Sequence, residues 1–173
     1  MIKKINLPMT TEFIVSLKAG EWLSLTGKIF TARDQAHLRL VNELNQGKQI
    51  FLLKEQNPIL YYTGPSPKRA NQIIGAAGPT TSSRMDAYTP YLIEKGIKIS
   101  IGKGLRSEAV IAAIKKHQGL YLAAIGGAGA YYQNKIKKCQ LIYYPELLSE
   151  AIYELEVADF LVMVAIDSQG NKF

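Results

Sequence analysis

The sequence predicts an α/β fold, and three observations predict it. Apolar stretches of strand length alternate with amphipathic helical stretches through the second half of the 173-residue chain. Some of those strands, such as "LYLAAI" and "FLVMVAI", are apolar without alternation, as strands covered on both faces are. Glycines cluster where three strands end, in "GAAGPTTSSR", "IGKGLRSE" and "IGGAGA". The β-rich first half adds a second sheet or a flanking β layer, so the expected architecture is one three-layer unit, with residues 1–173 as a single domain.

Each element follows in order. Residues 12–30 read as strands broken by the turn signals "KAG" and "TG". Residues 31–46 read as a helix: Thr31 caps it, Asp34 approximates a capping box, and Gly47 stops it. Ala36, Leu40, Val41 and Leu44 form its apolar stripe. Residues 48–64 return to strands in "IFLL" and "ILYYTG", and "NQIIGAAG" reads as a short strand entering a glycine loop. A helix is expected from Ser83 to Lys95, which Pro90 must kink or restart. "IKISIGKG" is a strand and loop, and "SEAVIAAIKKHQG" a helix capped by Ser107 and stopped by Gly119. "LYLAAIGGAG" enters another glycine loop, "YYQNKIKKCQLIYY" passes from helix to strand, and "DFLVMVAIDSQGN" is a late strand and turn.

Bulk composition narrows the function classes. Hydrophobic residues at 47% and charged residues at 20% exclude long disordered stretches. The apolar runs are too short to cross a bilayer, and "MIKKINLPMTTEF" has no continuous apolar segment of the signal-peptide kind. Cys139 is the only cysteine, so no internal disulfide can form and a reducing, cytoplasmic setting is expected. The net charge of +7 comes from scattered lysines, with no basic run interleaved with aromatics. That favours a solvated basic surface over a nucleic-acid face, and the positive field also suits a small anionic substrate.

Ligands of open α/β sheets bind at the carboxyl ends of strands, where loops meet helix N-termini and free N–H groups attract anions. None of the three glycine loops has P-loop or dinucleotide-fingerprint spacing. Cations are placed beside them. Arg84 follows a candidate cap, Ser82 or Ser83, and Arg33 lies in the first turn of the helix capped by Thr31. Positive charge there opposes the helix dipole, which points to an anion nearby. Lys103 stands between Gly102 and Gly104. His37, His117, Tyr143 and Tyr144 read as structural, and Asp86 as capping its own helix through Ser83-x-x-Asp86 rather than orienting Arg84. Cys139 has no cysteine partner for a metal site.

Together "AGPTTSSRMDAYTP", "GKGLRS", "AAIGGAGA", "YPELLSEAIYELEVADF" and "IDSQGN" resemble, in order and spacing, the β subunit or C-terminal domain of class I, iron–sulfur-dependent fumarate hydratase. The upstream "LTGKIFTARDQAH" resembles that family's "TGRD-x-AH" segment. The β subunit of L-tartrate dehydratase is similar too, although Arg84-Met85-Asp86 and the Arg106-Ser107 pair look more like the fumarase pattern. The resemblance implies a three-layer swivelling β/β/α domain. It implies a reversible hydration of fumarate to L-malate by a hydro-lyase that is active only with an α subunit. It also implies a 4Fe–4S cluster held by three cysteines, which must belong to that α subunit because Cys139 stands alone. A C4 dicarboxylate substrate and a higher oligomer such as α2β2 follow from it, with no nucleic acid and no membrane. Arg33, Arg84 and Lys103 would surround the substrate carboxylates, with Thr80 and Thr81 completing the cradle. Proton transfer would fall to Thr81 first and Thr80 second, with Lys103 beside them and an activating carboxylate on the α chain. Two alternatives stay open: a β subunit of L-tartrate dehydratase or mesaconate hydratase, and a non-catalytic dicarboxylate- or phosphate-binding module.

Overall fold

Apolar residues at alternate positions in two long segments organise the chain. The computed structural model describes residues Met1–Phe173 and has the expected mixed α/β content. Its elements are β1 (Ile2–Asn6), α1 (Thr11–Ser16), β2 (Trp22–Thr31), α2 (Asp34–Asn45), β3 (Ile59–Tyr61), α3 (Thr89–Glu94), β4 (Ile99–Gly102), α4 (Glu108–His117), β5 (Leu120–Ala123), α5 (Gly129–Lys135), β6 (Ile136–Tyr143) and β7 (Ile152–Ile166). The seven strands form one sheet in the order β1-β2-β3-β4-β5-β7-β6, and β2 also pairs with β7. Strands β2, β3, β4, β5 and β7 therefore close into a barrel. Strands β1 to β5 run parallel to one another, and β7 runs antiparallel to β2, β5 and β6.

Closure explains the apolar pattern. Leu23 and Leu25, Ile59 and Tyr61, Ile99 and Ile101, Leu120 and Leu122, and Phe160, Val162 and Val164 alternate along five strands and join one buried cluster. Each such side chain contributes about 1.5–3 kcal/mol by leaving water. Residues on the opposite face are buried as well. Phe30, Leu60 and Tyr62 pack with Leu40 of α2 and Leu92 of α3, while Tyr121 and Ile166 pack with Val110, Ile111 and Ile114 of α4. Strands covered on both sides read as unbroken apolar runs for this reason. No helix is long and apolar enough to cross a membrane.

Several elements depart from the sequence expectation. The first half makes no second sheet, because β2 pairs with the 15-residue β7 across a register shift between Leu25 and Gly27. Residues 11–16 are helical: Thr10 accepts a hydrogen bond from the Phe13 N–H and Glu12 lies in the first turn. Thr31 does not cap α2. It ends β2, buried, with Oγ1 donating to the Ala151 carbonyl and accepting from the Tyr153 N–H. Arg33 is the N-cap instead, without a side-chain cap bond. "IFLL" forms a 3-10 turn, Phe51–Lys54, and "NQIIGAAG" forms no strand. The helix expected from Ser83 is a 3-10 turn, Ser82–Met85, followed by α3 with Pro90 in its first turn, the restart that proline requires. Ser107 caps α4 as expected, accepting from the Val110 N–H. The Asp86 side chain does not cap its own segment: its two oxygens accept from Arg106 Nε and from the Ser107 N–H.

Candidate active site at the carboxyl ends of the parallel strands

Parallel strands end on the same rim, so the segments after β2, β3, β4 and β5 meet there. The hydroxyl-rich loop threads between two of them. The Thr80 N–H donates to the Tyr62 carbonyl at 2.7 Å, the Lys103 N–H to the Thr80 carbonyl at 3.3 Å, and the Ser82 N–H to the Lys103 carbonyl at 2.9 Å. Thr81 and Lys103 form a parallel bridge. A methyl group at Gly126 would stand 3.5 Å from Lys103 Cδ, and the Ala77 N–H donates to the Gly129 carbonyl. All three glycine loops therefore converge on one place. Glycine is required at Gly102 because any Cβ there would overlap Ser82 Oγ.

Arg33 and Arg84 bracket one carboxylate. Arg84 Nε donates to Asp34 Oδ1 at 3.0 Å, and Arg33 Nε lies 3.7 Å from Asp34 Oδ2. Arg33 Nη2 is 3.5 Å from Glu150, whose other oxygen accepts from the Gln35 N–H at 2.9 Å. Gly64 leaves room for the guanidinium, since a Cβ there would lie 2.7 Å from Arg33 Nη1. Arg33 Nε and Asp34 Oδ2 are buried and bond to nothing. Leaving such groups unmatched costs about 1–3 kcal/mol each, so the arrangement suits a polar ligand. Asp34 and Glu150 offset the two arginines, and Lys103 has no carboxylate partner.

Arg33 and Arg84 share Asp34, Thr80 and Thr81 are joined to Lys103 by a backbone hydrogen bond and a parallel bridge, and the Arg84 N–H donates to the Thr81 carbonyl at 3.4 Å. The dipole argument that singled out Arg84 does not hold. Arg84 lies in the last turn of a 3-10 segment, where a cation is favourable. Of the hydroxyl run, Thr81 is exposed with its side chain free of any capping bond, whereas Ser82 is buried and bonded to the Tyr121 hydroxyl at 2.9 Å. Sequence reasoning missed Asp34 as the bridge, Glu150 as the second counter-ion and Gly64 as the opening. Only Asp34 carried a local signal, its adjacency to Arg33.

His37 is fully buried on α2, edge-on to Tyr62, with Nδ1 donating to the Arg33 carbonyl at 2.8 Å and Nε2 unpaired. It therefore holds the backbone of Arg33, a structural role, as expected. Burial lowers its pKa from 6.5 to about 4, helped by Arg106 and opposed by the Arg33 carbonyl and Asp34. The folded state keeps His37 neutral while the unfolded chain protonates below 6.5. Its contribution is complete above that value and is lost as pH falls toward 4. Between pH 7 and pH 5 the loss is about 2 kcal/mol. His37→Gln removes this dependence, and urea titrations of both proteins at the two pH values check it.

Cys139 is half-buried on β6, and no three His, Cys, Asp or Glu side chains group as metal ligands. An iron–sulfur cluster held by three thiolates does not fit the residues of this chain. A groove of about 820 Å³ lies beside Arg33 and runs from Gly64 past Ile73 and Leu141 to Tyr153. Its one cation is Lys68, so a dicarboxylate finds no guanidinium fork there.

The sequence profile of the family described as Fumarase C-terminus matches residues 1–173. The chain belongs to the fumarase C-terminal family. Among relatives of this family, the anaerobic class I fumarate hydratase of Escherichia coli is 42% identical over 153 residues, 87% of this chain and 28% of that relative. Mitochondrial fumarate hydratase 1 of Leishmania major is 38% identical over the same shares. A protein of Methanocaldococcus jannaschii provisionally named L(+)-tartrate dehydratase subunit beta is 36% identical over 171 residues, 95% of this chain and 87% of its own length. The chain thus spans 28% of the first two and most of the third. In this fumarase C-terminal chain, "TGKIFTARDQAH" supplies Arg33 and Asp34, and "GPTTSSR" supplies Thr80, Thr81 and Arg84.

Proposed function

We propose that this chain is the β subunit of a class I fumarate hydratase, catalysing reversible hydration of fumarate to L-malate only with an α subunit that carries the 4Fe–4S cluster. One observation carries the reading. Two guanidinium groups flank Asp34 at the rim where the threonine loop and Lys103 meet, and Arg33 Nε there makes no hydrogen bond. The family match and the names of its relatives support it. The single cysteine supports a cluster held elsewhere. We take residues 1–173 as one domain, with the walls of the closed sheet and the helices outside it as the layers of a swivelling β/β/α unit. We place the enzyme in the cytoplasm, in a higher oligomer such as α2β2.

Chemistry assigns the roles. Dehydration of malate removes a proton from a carbon beside a carboxylate, and the dianionic aci-carboxylate that forms needs fixed positive charge. Arg33 and Arg84 offer forks that hold a carboxylate with two bonds, and Lys103 adds a compact charge. The Thr81 hydroxyl is the proton-transfer group we favour and Thr80 the second choice. A threonine hydroxyl needs activation, which we assign to a carboxylate of the α subunit. The M. jannaschii relative is nearly all matched by this chain, which favours a tartrate-dehydrating β subunit as the second reading.

Anaerobic mixing tests both. Alone, the chain turns over nothing. With its cluster-loaded companion it hydrates fumarate. Turnover of L-tartrate instead selects the second reading. Dicarboxylate binding without turnover in either sample contradicts both and leaves a binding module.

A further inference from the structure

Arg106 is a buried charge, its side chain 0% exposed. Each of its three nitrogens donates. Nε donates to Asp86 Oδ1 at 2.7 Å, Nη1 to Ser100 Oγ at 3.1 Å, and Nη2 to Thr89 Oγ1 at 2.7 Å and the Tyr62 hydroxyl at 3.5 Å. The guanidinium carbon stands 5.3 Å and 4.9 Å from the ring centres of Tyr62 and Tyr121. Asp86 Oδ2 accepts from the Ser107 N–H at 2.6 Å. Tyr121 extends the network: its hydroxyl shares a hydrogen bond with Ser82 Oγ and donates to the Gly104 carbonyl at 2.8 Å.

The segments so joined are those that present the cradle. Asp86 lies two residues beyond Arg84, and Arg106 three beyond Lys103. Their ion pair locks the Ser82–Met85 turn to the loop after β4, while the Ser82–Tyr121–Gly104 link ties the same two segments a second time. Arg106 cannot touch a substrate from its buried position. Buried ion pairs are poor stabilisers compared with apolar residues of the same volume, so stability alone does not account for this one. We propose that Arg106 and Asp86 are positioning residues that hold Arg84 and Lys103 in register toward the substrate carboxylates. The proposal rests on the β-subunit reading above.

Steady-state kinetics of the two-subunit enzyme, normalised to folded, cluster-loaded complex, test it. Asp86→Asn keeps the shape and one acceptor oxygen but removes the charge. Its kcat/KM for fumarate falls about a hundredfold, as for a displacement of about 1 Å in bound geometry. Arg106→Lys keeps the charge and loses the planar fork, and it falls similarly. In an Arg84→Ala background, Asp86→Asn costs only about tenfold more, because the share that acts through Arg84 is already lost and only the share through Lys103 remains. A purely structural pair lowers the yield of folded complex while KM and kcat per complex stay at wild-type values, and its effect adds in full to that of Arg84→Ala. Wild-type kinetics per complex in both Asp86→Asn and Arg106→Lys, or full additivity with Arg84→Ala, overturns the proposal while the β-subunit reading stands. A wild-type complex that turns over no dicarboxylate overturns the reading and the proposal together.

Discussion

If the chain is the β subunit proposed above, Arg84→Ala lowers kcat/KM for fumarate about a thousandfold when it is assembled with its α subunit, the upper range for one preorganised donor to a developing oxyanion. Its fold is little affected. Arg84 is 52% exposed and its pair with Asp34 is an ordinary surface ion pair, of the kind that adds little to stability. Loss of activity with an unchanged unfolding curve is therefore the expected signature, read by kinetics and urea titration on the same sample. Removal of Arg84 also leaves Arg33 alone, at 3.7 Å, to offset the charge of Asp34, so repulsion of an incoming carboxylate adds to the lost attraction. His117→Ala is the matched control. His117 ends α4, away from the rim, and its loss leaves kcat and KM unchanged.

Arg106→Met destabilises the chain by about 3–5 kcal/mol, the range for stripping one partner from a buried ion pair. The substitution fills the volume but leaves Asp86 without its counter-ion, and it takes a donor from Ser100 and Thr89. Burial alone would lower the Arg106 pKa, and Tyr62 and Asp86 outweigh it and raise the value, so the group stays charged throughout the working pH range. The measurement is the urea midpoint, which drops while the slope of the transition is retained. A midpoint like that of the wild type would mean that Asp86 re-pairs or hydrates at little cost.

The parts of the fold legible in the sequence were those set by local chemistry. Helix α4 shows both its Ser107 cap and its apolar stripe, and the glycine-rich ends of β4 and β5 announce the loops that meet at the rim. Barrel closure was not legible, since it depends on β2 meeting β7, two strands far apart in sequence whose pairing no local pattern specifies. Short elements failed for a related reason. Helix α1 and the 3-10 turn at Phe51–Lys54 have too few residues for a period to declare itself, and tertiary packing decides them. In the site, loop chemistry and family resemblance named Arg33, Arg84, Thr80, Thr81 and Lys103 as candidates, and Asp34 was legible only through its adjacency to Arg33. Glu150 was not, because it reaches Arg33 from a turn on the far side of the sequence. Asp86 was misread as a cap because its true partner, Arg106, lies on another loop.

A structure of the chain assembled with the α subunit proposed above, with fumarate bound, is the most direct measurement. The account predicts one carboxylate of the diacid within hydrogen-bond distance of the Arg33 and Arg84 guanidinium groups, with Lys103 and Thr81 facing the rest of the molecule. A diacid seated away from these side chains, for instance in the apolar groove between Gly64 and Tyr153, would contradict it.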